Sequence, residues 1–121
     1  MLQDVYDGRI WQQFMQVLTT STCLALMLNV DWFQPYVHTC CSVGVVFLTI
    51  MNLPRSLRYK RQNVLLVGVI PGPSEPTHDI NPYLQPLVNE LLVFWKGVQM
   101  KVKRGSNVVI EQIRCVLLCV T

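Results

Sequence analysis

The chain has 121 residues, of which 51% are hydrophobic and 14% charged, with a formal net charge of +3. That length suits one domain with a real core and leaves no room for a second. The mean hydropathy of +0.35 raises the question of a membrane span, but the longest apolar runs, residues 24–30 and 43–51, fall short of the ~20 that a bilayer-crossing helix needs, so no membrane association is expected.

Met1-Leu2-Gln3-Asp4-Val5 lacks the basic start and apolar core of a signal peptide, which predicts an intracellular chain. The five cysteines, Cys23, Cys40, Cys41, Cys115 and Cys119, are odd in number and show no CxxC spacing, and His38 and His78 are far apart. Zinc sites need four convergent ligands at characteristic spacings. Buried free thiols in a reducing compartment are the expected state.

In chain order, Asp7-Gly8 opens a short helix over residues 7–18, with Ile10, Trp11, Phe14 and Val17-Leu18 at helical spacing. After the polar break 19–22, residues 23–31 (CLALMLNVD) read as a strand that ends in an acid. Residues 32–42, with Pro35, form a connection, and residues 43–51 (VGVVFLTIM) a second strand rich in β-branched side chains. Asn52-Leu53-Pro54 opens a basic loop, and residues 64–70 (VLLVGVI) form a third strand stopped by Pro71-Gly72-Pro73. The two longest apolar runs, residues 24–30 and 43–51, are the pattern of strands buried on both faces.

Asn81-Pro82 starts a helix over residues 82–98, Asn as cap and Pro at the first helical position. Leu84, Leu87, Val88, Leu91, Leu92 and Trp95 recur at three and four residues as its apolar face, and Gly97 closes it. Residues 99–112 read as a polar, basic connection with a short strand near 108–110, and residues 113–121 (IRCVLLCVT) as a last buried strand. Three strands with short links suit an antiparallel meander, and a helix before the next strand suits a crossover that returns it parallel to an earlier one. The fold class expected is therefore α+β.

Arg55, Arg58, Lys60 and Arg61 fall within seven residues, and Lys101, Lys103 and Arg104 form a second group. Either can meet phosphate or simply be solvated.

Several local strings, in order along the chain, resemble the CACTA (En/Spm-like) transposases, particularly their fungal relatives. Asp4-Val5-Tyr6-Asp7-Gly8-Arg9-Ile10-Trp11 resembles DVYDG-x-x-W, and Val30-Asp31-Trp32-Phe33-Gln34-Pro35-Tyr36 resembles D-[WG]-F-x-P-[FY]. Asn52-Leu53-Pro54-Arg55 with Arg58-Tyr59-Lys60 is similar to NLPR-x-x-RYK, and residues 69–76 (VIPGPSEP) to IIPGP-x-EP. Residues 81–91 (NPYLQPLVNEL) resemble N-x-YL-x-PLV-x-EL, followed by Trp95-Lys96-Gly97-Val98 as W-x-GV. Residues 114–120 (RCVLLCV) resemble the strand that enters the family's next acidic motif.

The resemblance implies a partial ribonuclease H-like fold, with residues 1–22 as an N-terminal flanking helix and residues 23–121 as a truncated transposase core. It also implies a DDE-type enzyme that cuts DNA and joins the freed 3′ end elsewhere with Mg²⁺. Two such ions ~3.5–4 Å apart activate the attacking oxygen and stabilise the leaving one, and they take hard oxygen ligands. Asp31 is then the first catalytic, metal-binding carboxylate; its other reading is an acid that caps the following turn. Asp4 and Asp7 suit helix capping, Glu75 and Asp79 lie in a proline-rich loop, Glu90 on the helix, and Glu111 in the polar connection. The family's second Asp belongs to a D-x-P-A motif past the strand ending at Thr121, so the chain alone is expected to be catalytically incomplete.

Arg55, Arg58, Lys60 and Arg61 are the expected DNA contacts, on the supposition that their loop lies near the Asp31 end of the sheet. Trp32, Phe33 and Tyr36 are expected to pack on the core beside that loop rather than stack on bases, and Trp95 to close the helix's apolar face. An uncovered sheet face and edge predict poor solubility or a covering partner. The partners that the resemblance implies are DNA, a full-length transposase or a second copy, in a nuclear setting. Two functions stay open: a fragment of a transposase, or a non-catalytic protein that binds DNA or a transposase.

Overall fold

The computed structural model describes residues 3–17, 22–38, 40–72 and 79–118. One 3-10 turn, Val5–Asp7, leads into α1 (Arg9–Val17), and a second, Arg61–Asn63, leads into the third strand. Then follow β1 (Thr22–Phe33), β2 (Val43–Ile50), the one-turn helix α2 (Arg55–Arg58), β3 (Val64–Ile70), α3 (Asn81–Lys96), β4 (Val98–Arg104) and β5 (Asn107–Leu118).

The strands form one mixed sheet in the order β3-β2-β1-β5-β4. β1, β2 and β3 are an antiparallel meander, with Leu26 opposite Ile50 and Asp31 opposite Val45. β5 returns parallel to β1, with Leu24 beside Cys115. The most apolar run thus occupies the centre, where both edges of its backbone are paired.

Along β1 successive side chains alternate between the two faces. Leu24, Leu26 and Leu28 join Leu48, Ile50 and Cys115 against Leu87, Leu91 and Phe94 of α3. The helix rests on a narrower stripe than its apolar pattern predicts. Leu84, Leu87 and Leu91 are half-buried, whereas Val88, Leu92 and Trp95 face outward. Phe94, absent from the expected set, takes a core position.

Several boundaries differ from those read in the sequence. β1 runs on through Asp31 to Phe33, because Val43 and Gly44 of β2 remain available to pair with Phe33 and Trp32. α3 begins at Asn81 rather than Pro82, since the Asp79 carboxylate, not Asn81, accepts the first free amide, that of Asn81, at 2.9 Å. It ends at Lys96. The N-terminal helix expected over residues 7–18 is a 3-10 turn followed by α1.

The largest difference lies after α3. The polar connection is a β-hairpin, in which β4 pairs antiparallel with β5 from Val98 opposite Ile113 to Arg104 opposite Asn107. Gly105-Ser106 is its two-residue loop. Gly105 has φ of 62°, the positive angle that such tight hairpin turns require and that glycine adopts without a steric penalty. β5 therefore starts six residues before the strand expected at 113.

β3 also departs from the pattern. Its run is as apolar as those of the inner strands, yet it is an edge strand with Leu66 65% and Val69 56% exposed. An apolar run reports what a strand tolerates, not whether neighbours are present to cover it.

Candidate metal and nucleic-acid site

Asp31 stands two residues before the end of β1 and shares a face with Ala25, Met27 and Asn29, away from α3. It is exposed. The expectation of an acid at the buried end of a strand is therefore corrected: β1 continues past it, and no desolvation cost demands a metal there. Two residues before Asp31 on the same strand, Asn29 donates to the Thr49 hydroxyl at 3.3 Å. β1 and β5 run in the same direction, so the carboxyl ends of both point toward the Asp31 end of the sheet. That is the side where open sheets with parallel strands gather ligands.

The donor set does not by itself fit a pair of magnesium ions. Among the described residues no three His, Cys, Asp or Glu side chains converge. Asp79, at the start of α3, is engaged with the Asn81 amide, and Glu75 and His78 lie outside the described residues.

The other acids have structural roles. Asp4 and Asp7 form a reciprocal capping box on the Val5–Asp7 turn. Asp4 also binds Arg58, whose Nη1 lies 2.8 Å from Oδ1 and whose Nη2 lies 3.3 Å from Oδ2. The same guanidinium donates to the Leu53 carbonyl from Nε and Nη2, and its carbon sits 5.1 Å from the Tyr6 ring centroid. The Tyr6 hydroxyl is 2.6 Å from the Met51 carbonyl and 2.7 Å from that of Leu53. Arg55 donates to the Gln3 carbonyl at 3.2 Å. The two strings DVYDG and NLPR-x-x-RY are thus halves of one joint, some fifty residues apart in the chain.

Asn52 belongs to the same joint. Its side-chain amide accepts from Ala25 at 2.7 Å and donates to the Cys23 carbonyl at 3.0 Å, extending the β1–β2 ladder by one rung. Burial works against the Arg58 charge, but the bonds to Asp4 and Tyr6 more than offset it and raise its pKa. The Arg58 guanidinium in turn holds the Asp4 carboxyl below the usual carboxylate range.

Of the expected DNA contacts, this joint takes up Arg58. Arg58 is 3% exposed and committed to protein partners, so its side chain does not face solvent. Lys60 and Arg61 are exposed, and Arg55 is exposed while bonded to Gln3. The whole turn starts level with Ala25, six residues from Asp31 along β1, or roughly 20 Å at ~3.3 Å per residue. It lies at the opposite end of the sheet from Asp31, because β2 is antiparallel to β1.

The second basic group shares that opposite end. β4 opens level with Ile113, which pairs with Thr22 at the start of β1, and the hairpin projects beyond. Between Arg9 and Arg55, and again between Arg61 and Lys96, the sequence holds no lysine or arginine. Both basic groups thus lie where β1 begins, together with Asp4 and Glu111, which pair with Arg58 and Arg104, whereas Asp31 stands where β1 ends.

The aromatic expectations divide. The Trp32 ring lies across Gly44, so close that a Cβ built there meets it at 2.9 Å, which places Trp32 in packing as expected. Phe33 and Tyr36 are exposed, and the basic turn beside which all three were expected is at the far end. Trp95 is half exposed; its carbonyl accepts from Arg114 at 3.0 Å and its ring carries the guanidinium at 5.4 Å. Cys115 is buried and Cys23 partly so, and burial raises both thiols. Cys40 and Cys41 are exposed, contrary to the buried-thiol expectation, and Cys119 lies outside the described residues. Among the described residues no helix is long and apolar enough to cross a membrane.

The hairpin is what reading the sequence missed. Its signal was present: Gly105-Ser106 after a run, residues 98–104, that alternates apolar and polar side chains, and before a β-branched run, residues 108–110.

No curated protein and no solved structure matches the chain. The model of the transposase family tnp2 matches residues 1–121. A match over the whole length, on a chain whose separated strings meet in one joint, makes this protein a member of the transposase family tnp2.

Proposed function

We propose that this chain forms the first part of the catalytic core of a DDE-type transposase of the CACTA (En/Spm-like), fungal kind, on a ribonuclease H-like sheet, with Asp31 as its first metal-binding carboxylate. The observation that carries the reading is the position of Asp31: on the central strand, at the end toward which parallel β1 and β5 both run. A meander of three strands followed by a helix and a strand returning beside the first supports the fold assignment. β4, inserted at the edge before that return, is an addition to this plan.

Alone, the chain does not catalyse. Paired magnesium ions need several carboxylates around one point, and this reading assigns one of them, Asp31, to the chain. The other carboxylates come from elsewhere in the complete enzyme, which acts on DNA in the nucleus.

A chimera tests the reading. This chain replaces the matching segment of an active tnp2-family transposase, and cleavage at the element ends is measured in magnesium. Activity that Asp31→Asn lowers by three orders of magnitude or more supports the assignment. A chimera whose cleavage is indifferent to Asp31→Asn refutes it, as does magnesium-dependent nicking by the 121-residue chain alone.

The exposed apolar side chains of β3 and α3 favour a second reading, a non-catalytic protein that pairs with a full-length transposase or with another copy. Stable co-purification with the active enzyme, without rescue of cleavage by the chimera, distinguishes it.

A further inference from the structure

We propose that the β4–β5 hairpin is a ribbon that lies against the phosphate backbone of duplex DNA through Lys101 and Lys103. The inference rests on the reading of the chain as a DNA-handling protein and specifies the surface that does the handling.

The register sorts the hairpin into two unlike faces. Lys101 is opposite Ile110 and Lys103 opposite Val108, so these four side chains share one face. Glu111, the only acid between Gly97 and Leu118, is on the other face, where it accepts from Arg104 at 2.6 and 2.8 Å and from Thr22 at 3.1 Å. The hairpin's acid and one of its cations are thereby spent on each other. Lys101 and Lys103 are exposed, and that face of the hairpin carries no carboxylate. Their Cα atoms are two residues apart on one strand, about 7 Å, so both can meet one run of phosphates.

The geometry around them suits a duplex. Residues 107–112 precede Ile113, the first residue of β5 to pair with β1. Among the described residues this stretch has only β4 as a sheet neighbour, and it projects by roughly 20 Å at ~3.3 Å per residue. A two-stranded ribbon of this kind is admitted by the major groove of DNA. Val108 and Ile110, 64% and 68% exposed, stand between the lysines and the partner strand's edge, where aliphatic groups can meet thymine methyls. The rival candidate turn has its central arginine, Arg58, buried. The competing role for Lys101 and Lys103 is to guard an edge strand against pairing with other chains.

Fluorescence anisotropy of the 121-residue chain on a labelled duplex of about 20 base pairs, over about 50 to 200 mM salt, separates these roles. Lys101→Gln/Lys103→Gln is expected to reduce the slope of log affinity against log salt by about 1.8, at about 0.9 per phosphate contact, and to weaken binding roughly tenfold to hundredfold. Lys101→Arg/Lys103→Arg retains both. Amine acetylation of the unmodified chain, read by mass spectrometry, is expected to be suppressed by DNA at Lys101 and Lys103 more than at Lys60; this measurement needs no variant. An unchanged salt slope with increased light scattering assigns the lysines to edge protection and overturns the proposal. So does a slope that responds to Lys60→Gln/Arg61→Gln instead, or a wild-type chain that binds no duplex. None of these outcomes bears on Asp31, whose role the chimera decides separately.

Discussion

Replacing Arg58 tests the joint between the N-terminal turn and the sheet, and with it the reassignment of a basic residue from DNA to structure. The guanidinium is 3% exposed and donates to Asp4 and to the Leu53 carbonyl, with a further contact to Met51 at 3.5 Å. Arg58→Ala removes every one of these donors and leaves a space where the side-chain stem was. Breaking a fully buried ion pair costs about 3–5 kcal/mol. Asp4 retains 22% of its exposure, so water can replace part of what it loses, and the Tyr6 hydroxyl still reaches both carbonyls. A loss of about 2–4 kcal/mol is expected for Arg58→Ala, a large share of the 5–15 kcal/mol typical of a domain.

Urea unfolding followed by far-ultraviolet circular dichroism measures it, with Arg61→Ala as the exposed comparator expected within about 0.5 kcal/mol. Arg58→Lys should recover only part of the loss, because an ammonium cannot span the carboxylate and the carbonyls as the planar fork does. An Arg58→Ala change no larger than that of Arg61→Ala would refute the joint. So would full stability accompanied by a loss of DNA affinity, since that is the signature of a solvent-facing contact.

Gly44→Val should destabilise the sheet by about 1–3 kcal/mol through overpacking against the Trp32 ring, and Trp32→Leu in the same chain should recover part of it; thermal melts of the single and double variants check this. Asp4 and Glu111 are both held below the ordinary carboxylate range by their arginine bonds, so the stability they contribute is complete above the unfolded value near 4 and is lost as pH falls through the lower folded value. The urea midpoint should therefore drop on acidification below about pH 4, less so in Asp4→Asn; a midpoint that rises on acidification contradicts the assignment. Leu66→Lys, on the outer strand β3, should leave stability within about 0.5 kcal/mol and reduce self-association seen by light scattering. A well-behaved wild-type monomer would remove the case for a covering partner.

The three strands of the meander and the long helix were legible because each is a local signal. VLLVGVI between polar turns has few alternatives to a strand, and Asp31 is marked by its own neighbours in the chain. The capping by Asp4 and Asp7 is equally local, a matter of residues three apart. The hairpin was legible in principle, through Gly105-Ser106, but its first strand is polar and basic, and longer apolar runs outweighed alternation in the reading.

What the linear order could not supply was adjacency. The basic turn follows a strand that runs back from Asp31, and only the antiparallel register of β1 with β2 puts it at the far end of the sheet. Arg58 looks like one more cation in a basic run until Asp4, fifty-four positions earlier, folds over it. Whether an arginine faces solvent depends on which chain segment returns to cover it, and whether an apolar strand is central or an edge depends on which strands pair beside it. Composition and spacing determined most of the elements and their order; long-range pairing alone decided which charges meet each other and which remain exposed.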